Sequence, residues 1–255
     1  MGFWFYFKNI NTNSLIKDAV IANLLLIDIE TIPQAPGYSE LSADWKTLWW
    51  DKISKTVPEN TTPDEAYEQK AGILAEFGKV ICISTAYFFE NEEGRISLKM
   101  KSVSGDDERA VLLDFIAITD KFYKHNNQLQ FAGHNVKEFD IPFLCRRMIV
   151  NNVPLPSYLQ LHAAKPWEVR IVDTLQWWKF GDYKNYISLH LLANVLGIPT
   201  SKTDMDGSMV KDVYYKEKDL PRIVDYCQRD VVVVGNVVLK FRNMALLRDE
   251  DVIVV

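Results

Sequence analysis

Four carboxylates stand in three distant segments of this chain. They are Asp28 and Glu30 in LLLIDIETIP, Asp140 in GHNVKEFDIP and Asp230 in DYCQRDVVVV, with Tyr226 four residues before the last. Each adjoins an apolar run whose burial would strip the charge of water, a costly change unless a cation offsets it. A divalent metal is the simplest such cation. On a strand, residues two apart share a face, so Asp28 and Glu30 present both carboxylates to one side while Ile27 and Ile29 point to the other. On a helix, residues four apart are neighbours, which joins Tyr226 to Asp230. Asp140, at the entrance of a helix behind a strand and a His-Asn pair, can supply the remaining carboxylate. Oxygen donors alone favour Mg²⁺ or Mn²⁺ over zinc. Two such ions about 3.5 to 4 Å apart stabilise the attacking and leaving oxygens of an in-line phosphoryl displacement. The reaction class implied is phosphodiester hydrolysis.

Each part also has an ordinary reading. A D-x-E triplet in a chain with 34 acidic residues is commonly solvated surface, but this one ends a strand that reads as buried. Asp140 could instead be a helix N-cap, with Pro142 in the first turn. Tyr226 and Asp230 could form an exposed helical pair. The conjunction in order favours one common site: strand D-x-E, then N-x-x-x-F-D, then Y-x-x-x-D on a helix.

The elements that must position these groups can be read from periodicity and punctuation. Asn23 to Ile29 is a short Leu- and Ile-rich run that suits a central strand buried on both faces. Gly78 to Phe89 and Arg95 to Val103 read as paired strands joined by a turn with Gly94 near its end. A helix follows, capped by Asp106 or Asp107. Gln128 to Ala132 is a further strand, Phe139 to Ile149 a helix, and the region from Arg170 to Leu175 a short strand. Leu189 to Leu196 reads as a helix stopped by Gly197 and Pro199. A last long helix starts near Asp219 and is expected to run to about Leu246. Strands concentrated early, with helices interleaved and then dominating, give an α/β domain with a mixed sheet.

Between Pro33 and Ala71 the pattern breaks. Prolines and Gly37 stand beside Trp45, Trp49 and Trp50, so residues 33–71 read as an insertion with short helices. Its aromatic cluster suits a local mini-core better than a base-stacking platform. Residues 1–21 read as an N-terminal arm or tail, 22–246 as one domain containing the insertion, and 247–255 as a C-terminal tail.

Bulk properties narrow the function classes. The chain has 255 residues, 48% hydrophobic and 25% charged, with a formal net charge of -5. That balance argues against an architectural nucleic-acid binder, whose affinity rests on a broad basic field. An enzyme holding nucleic acid through a metal and a small basic rim remains compatible with it. Cys82, Cys145 and Cys227 show no C-x-x-C spacing, so neither a thiolate zinc site nor a disulfide framework is expected. Reduced thiols, no basic leader pattern and no apolar stretch near the roughly 18 residues of a membrane span lead to an expectation of a cytoplasmic chain without a membrane partner.

The segments IDIET, HNVKEFDIPFL and YCQRD resemble the three motifs of the DEDD superfamily of 3′ to 5′ exonucleases, which have a ribonuclease H-like fold. A tyrosine four before the last aspartate resembles the DEDDy branch; the DEDDh branch has a histidine five before it, where this chain has Asp225. LHLLANVLGIPTSKTDMDGSMV followed by YCQRDVVVV is similar to the stand-alone family related to the exonuclease domain of family B DNA polymerases. That resemblance implies a ribonuclease H-like mixed sheet flanked by helices. It implies Asp28, Glu30, Asp140 and Asp230 as ligands of two divalent cations, Mg²⁺ or Mn²⁺, with Tyr226 orienting the attacking water. Thr31 and Ile32 would contact the terminal nucleotide, and Asn135 and Phe139 would line the strand's path, although Phe139 suits a core position equally. The implied substrate is the 3′ end of single-stranded or frayed DNA. RNA 3′-end processing, or a catalytically silent module whose partner docks on the insertion, are the alternatives, and the presence of all four acids disfavours silence. Nothing in the sequence places His134 or His190 beside the carboxylates. Lys165, Arg170, Lys179, Lys184 and Lys202, with Trp167, Trp177, Trp178 and Tyr183, form a loosely basic aromatic stretch that suits either a single-strand contact or a solvated loop.

Overall fold

A computed structural model describes residues 19–165, 168–182, 184–200 and 205–255. A short helix, α1 (Ala19–Ala22), leads into β1 (Leu24–Pro33). Leu24, Leu26 and Ile32 project to one face of β1 and Leu25, Ile27 and Ile29 to the other, all buried, so the strand is central. The chain then forms α2 (Ala43–Ile53) and α3 (Pro63–Lys70) before β2 (Gly78–Glu90) and β3 (Ile96–Ser104). α4 (Glu108–His125), β4 (Gln130–Gly133), α5 (Asp140–Val150), β5 (Ile171–Asp173) and α6 (Thr174–Lys179) follow. α7 (Leu189–Leu196), α8 (Val210–Asp212), α9 (Leu220–Phe241) and β6 (Val252–Val254) complete the order.

These strands make one six-stranded sheet in the order β5-β4-β1-β2-β3-β6. β1 runs parallel to β4 and antiparallel to β2, and β4 runs parallel to β5. One face carries α4 and α5, whose Val111, Leu112, Phe115, Phe143 and Leu144 pack on Leu25, Ile27 and Ile29. The other face carries α9, whose Val231, Val234 and Val238 pack on Leu24, Leu26 and Ala86. The result is an α/β, ribonuclease H-like mixed sheet flanked by helices on both sides.

Local chemistry sets most element ends. Asp107 accepts from the N–H groups of Arg109 and Ala110 to start α4, and Asp219 accepts from Arg222 to start α9. Gly197, in the left-handed region at φ 66, ends α7. The insertion is a small core of its own. Trp49 is buried, with its ring centroid 5.2 Å from that of Tyr67 and 4.9 Å from that of Phe77, and its indole N–H donates to the Pro63 carbonyl at 3.1 Å. At the foot of the sheet the buried Arg147 and Glu108 carboxylate pair at 2.6 Å; Glu108 also accepts the Val80 N–H, and Arg147 donates to the Ala75 carbonyl.

The C-terminal residues correct one expectation. Residues 247–255 read as a tail, yet Val252–Val254 pair with Leu98–Met100 as the sixth strand. α9 ends at Phe241 rather than near Leu246, because Asn243 turns the chain at φ 53 and Asn236 takes the Leu247 N–H at 2.8 Å. At the other end, Ile21 is fully buried in the α9-side core, so residue 21 belongs to the domain and not to an arm before it. Residues 1–18 of the expected arm lie outside the described residues.

Candidate active site

Strand alternation puts Asp28 and Glu30 on the α9 face of β1, in line with Leu24 and Leu26. Opposite them on β2 lie Ser84 and Cys82. Between Glu30 and Thr31 the pairing slips by one, Glu30 facing Cys82 and Thr31 facing Val80, so Ile81 is the extra residue of a bulge. Ile81 and Cys82 consequently pack in the same cluster, and the sheet bends beside the acidic pair. From above, α9 brings down Tyr226, Cys227 and Asp230, three residues on one helical face.

Asp140 arrives by a different route. β4 pairs with β1 only from Leu24 to Leu26, so further along that edge β1 has no strand partner. There the Ile29 N–H donates to Asp140 Oδ1 at 3.2 Å across 111 residues of sequence. Asp140 is the first residue of α5, and no side chain caps that helix at Phe139. The N-cap reading of Asp140 therefore gives way to a contact with β1.

The turn before Asp140 is held from β5. Asp173, buried at the end of that strand, accepts the N–H groups of Asn135 and Leu175 on Oδ1 at 2.9 and 3.0 Å and that of Lys137 on Oδ2 at 3.0 Å. His134 bridges Thr174 Oγ1 and the Ile187 carbonyl, each at 2.9 Å, and burial pushes its imidazole below the ordinary value. That makes His134 a structural tie. His190 behaves otherwise: exposed on α7, it lies close enough to Asp230 for its charge to favour the ionised carboxyl.

The electrostatics of the cluster are those of acids forced together in a dry place. Burial, then the charges of Glu30, Asp230 and Asp140, holds the Asp28 carboxyl well above the usual range. Burial, then Asp230, does the same for Glu30. Asp140 is pushed up to about 7 by burial, against the pull of its own N–H and that of Ile29. Asp230 is raised by burial, with the Tyr226 hydroxyl, Arg229 and His190 drawing it back. The Tyr226 hydroxyl is raised far above its ordinary value by burial, then by Asp230. Such a group of carboxyls stays fully ionised near neutrality only beside added positive charge. Asp28 Oδ2 is buried without a hydrogen-bond partner, and ligand atoms of Asp28, Glu30 and Cys227 lie within 4.8 Å of one another. An orphaned carboxylate oxygen beside a second carboxylate fits a hard divalent cation, the Cys227 sulfur being the one donor in the trio that is not oxygen. Asp140 and Asp230 act on this trio through their charge and stand outside that mutual spacing.

Cys227 reads in the sequence only as one of three reduced thiols, although it lies three residues before Asp230 on the same helical face. Its thiol donates to the Asp28 carbonyl at 3.4 Å, and burial raises it well above the ordinary value.

The sequence-read substrate residues divide. Thr31 is half-buried just past the bulge, and Asn135 sits in the left-handed region at φ 62. Phe139 is half-buried, 5.5 Å from the Phe143 ring, so part of its surface belongs to the core. Ile32 is corrected: it has no exposed surface and packs with Ile81, Ile223 and Cys227, which leaves its side chain no face for a nucleotide. In the basic aromatic stretch, Trp177 and Trp178 pack against the core clusters, while Trp167, Tyr183 and Lys202 lie outside the described residues.

Residues 73–251 match the model of a family described as predicted 3′-5′ exonucleases related to the exonuclease domain of PolB. The chain belongs to that family. The matched span holds Asp140, Tyr226 and Asp230, whereas Asp28 and Glu30 precede it. Among solved structures, the family B DNA polymerase from the hyperthermophilic archaeon Pyrobaculum calidifontis is similar over 86% of this chain, at a TM-score of 0.50 and 15% identity. At that identity the likeness is one of fold. The chain spans 24% of that polymerase's length. Among curated proteins, none matches this chain. No helix among the described residues is long and apolar enough to cross a membrane.

Proposed function

We propose that this chain removes nucleotides from the 3′ end of single-stranded or frayed DNA as a DEDDy-type exonuclease. Asp28, Glu30, Asp140 and Asp230 would hold two divalent cations, Mg²⁺ or Mn²⁺. The observation that carries the reading is the buried, unpartnered Asp28 Oδ2 at the convergence of acids from β1, α5 and α9. When bound, such ions supply Lewis-acid stabilisation of phosphoryl charge and a more acidic water.

The chain's own groups have separate duties. Tyr226, with its hydroxyl bonded to Asp230 and held protonated by its surroundings, orients the attacking water and does not act as its base. Asp140 is fixed through Oδ1 by the Ile29 N–H. The β1–α9 packing beside the bulge at Ile81 positions the acidic floor, so charge developing on the phosphate meets preset groups. Thr31 contacts the terminal nucleotide, and Asn135 and Phe139 line the strand's path. Cys227 steadies the Asp28 backbone from α9.

The test is nucleotide release from 3′-labelled DNA and matched RNA strands with Mg²⁺ or Mn²⁺. Metal-dependent release from DNA supports the proposal. Release from RNA alone would reassign the substrate, and no release from either would sink the reading. Full activity of Asp28→Ala would refute the metal assignment.

A further inference from the structure

We infer that Asp173 is a positioning residue of this site, clamping the turn that delivers Asn135, Phe139 and Asp140. The inference rests on the exonuclease reading above and extends it to a residue outside the acidic cluster.

The parallel ladder between β4 and β5 ends at the pair Gly133 and Asp173. Beyond it the β4 chain leaves the sheet, so the N–H groups of Asn135 and Lys137 have no strand to bond. Both find the Asp173 carboxylate, one on each oxygen, and the Leu175 N–H joins Oδ1 to start α6. A carboxylate with two acceptor oxygens is the side chain that can receive donors on both sides at once. The clamp fixes Asn135 in the left-handed region, which asparagine adopts more readily than other residues with a side chain.

Everything downstream hangs from that residue. The Asn135 carbonyl accepts the N–H groups of Glu138 and Phe139 at 3.1 and 2.9 Å, and the Val136 carbonyl accepts that of Ile141 at 3.1 Å. The first turn of α5 is thereby set, and with it the reach of Asp140 to Ile29. Gly133 adds to the constraint, since a Cβ there would lie 2.7 Å from Val136 Cβ and 2.9 Å from the Ile27 carbonyl oxygen. The turn is pressed against β1 and cannot relax toward it. Asp173 thus acts on the candidate metal ligand through the backbone, as outer groups around metal sites do.

Asp173→Asn separates positioning from folding. An amide keeps one acceptor oxygen but turns an NH₂ group toward a backbone donor. Mn²⁺ binding to the metal-free protein is measured by calorimetry, beside kcat and KM on a single-stranded DNA and the melting temperature. Mn²⁺ affinity and kcat are each expected to fall about 10- to 100-fold. Adding Asn135→Gly, which adopts a left-handed φ without strain, should restore part of the Mn²⁺ affinity. Trp49→Ala, destabilised in the insertion, should keep wild-type affinity. Should Asp173→Asn not fold, Asp173→Ser gives the same readout, because its hydroxyl can still cap α6 but cannot span Asn135 and Lys137. A variant with a lowered melting temperature but wild-type Mn²⁺ affinity and kcat overturns the inference. A wild type that binds no Mn²⁺ overturns the site reading and this inference together.

Discussion

Replacing Asp140 by asparagine removes one charge from the acidic cluster while keeping a carbonyl oxygen where Oδ1 accepts the Ile29 N–H. In the folded chain the Asp140 carboxyl is raised from 3.8 to about 7 by burial. At about 1.36 kcal/mol per pH unit, that interval corresponds to about 4 kcal/mol of destabilisation at pH 8 without metal. A carboxyl raised on folding gives its full stability below the unfolded value and loses it as pH climbs through the folded value. The advantage of Asp140→Asn should therefore open between about pH 4 and pH 7 and stay level above. Against it stand a weaker hydrogen bond and an amide N–H₂ in need of an acceptor, together on the order of 1–2 kcal/mol. A net gain of about 2–3 kcal/mol raises the melting temperature by about 5–10 °C for a chain of this size. Metal cancels most of that advantage. Mn²⁺ at about 100 times its Kd stabilises the wild type by about 2.7 kcal/mol, and the variant far less. Thermal melts at pH 5 and pH 8, with EDTA and with Mn²⁺, read all of this. A variant less stable than wild type at pH 8 in EDTA, or one gaining as much from Mn²⁺, would refute the reasoning.

Tyr226→Phe deletes a hydroxyl that bonds Asp230 and that, in the proposed site, is no metal ligand; turnover should slow about 10- to 100-fold, with Mn²⁺ affinity by calorimetry unchanged. Arg147→Ala leaves the buried Glu108 carboxylate without its partner, a loss of about 3–5 kcal/mol that a denaturant titration would measure. Trp49→Ala empties the insertion's mini-core and should cost about 3–5 kcal/mol if the unit unfolds with the rest. Its affinity for single-stranded DNA should stay at the wild-type level, since the ring it removes is buried.

What was legible in the sequence is what local chemistry decides. The helix at Leu189–Leu196 is bracketed by Ser188 and Gly197, and the starts of α4 and α9 carry their own aspartate caps, so each could be read within a few residues. Period-2 alternation likewise put Asp28 and Glu30 on one face. The rest depends on partners far along the chain. β6 is three residues whose only strong signal is pairing with β3, and the end of α9 is set by Asn236 reaching Leu247. That Asp140 would serve β1 rather than cap its own helix needed a contact across 111 residues. Ile32 misled because it follows the acidic pair in sequence, whereas on the same face of β1 it is covered by Ile81, Ile223 and Cys227. Cys227 could have been found from helical spacing; Asp173 could not, because its three bonds go to backbone groups that carry no residue signature.

A time course on 5′-labelled single-stranded DNA tests the role of the carboxylates most directly, using protein stripped with EDTA and then given Mn²⁺. We expect a ladder that shortens by single nucleotides from the 3′ end only after Mn²⁺ is added, and none with Asp28→Ala or Asp230→Ala. Shortening without metal, or an undiminished ladder from either variant, would contradict the assignment of these acids.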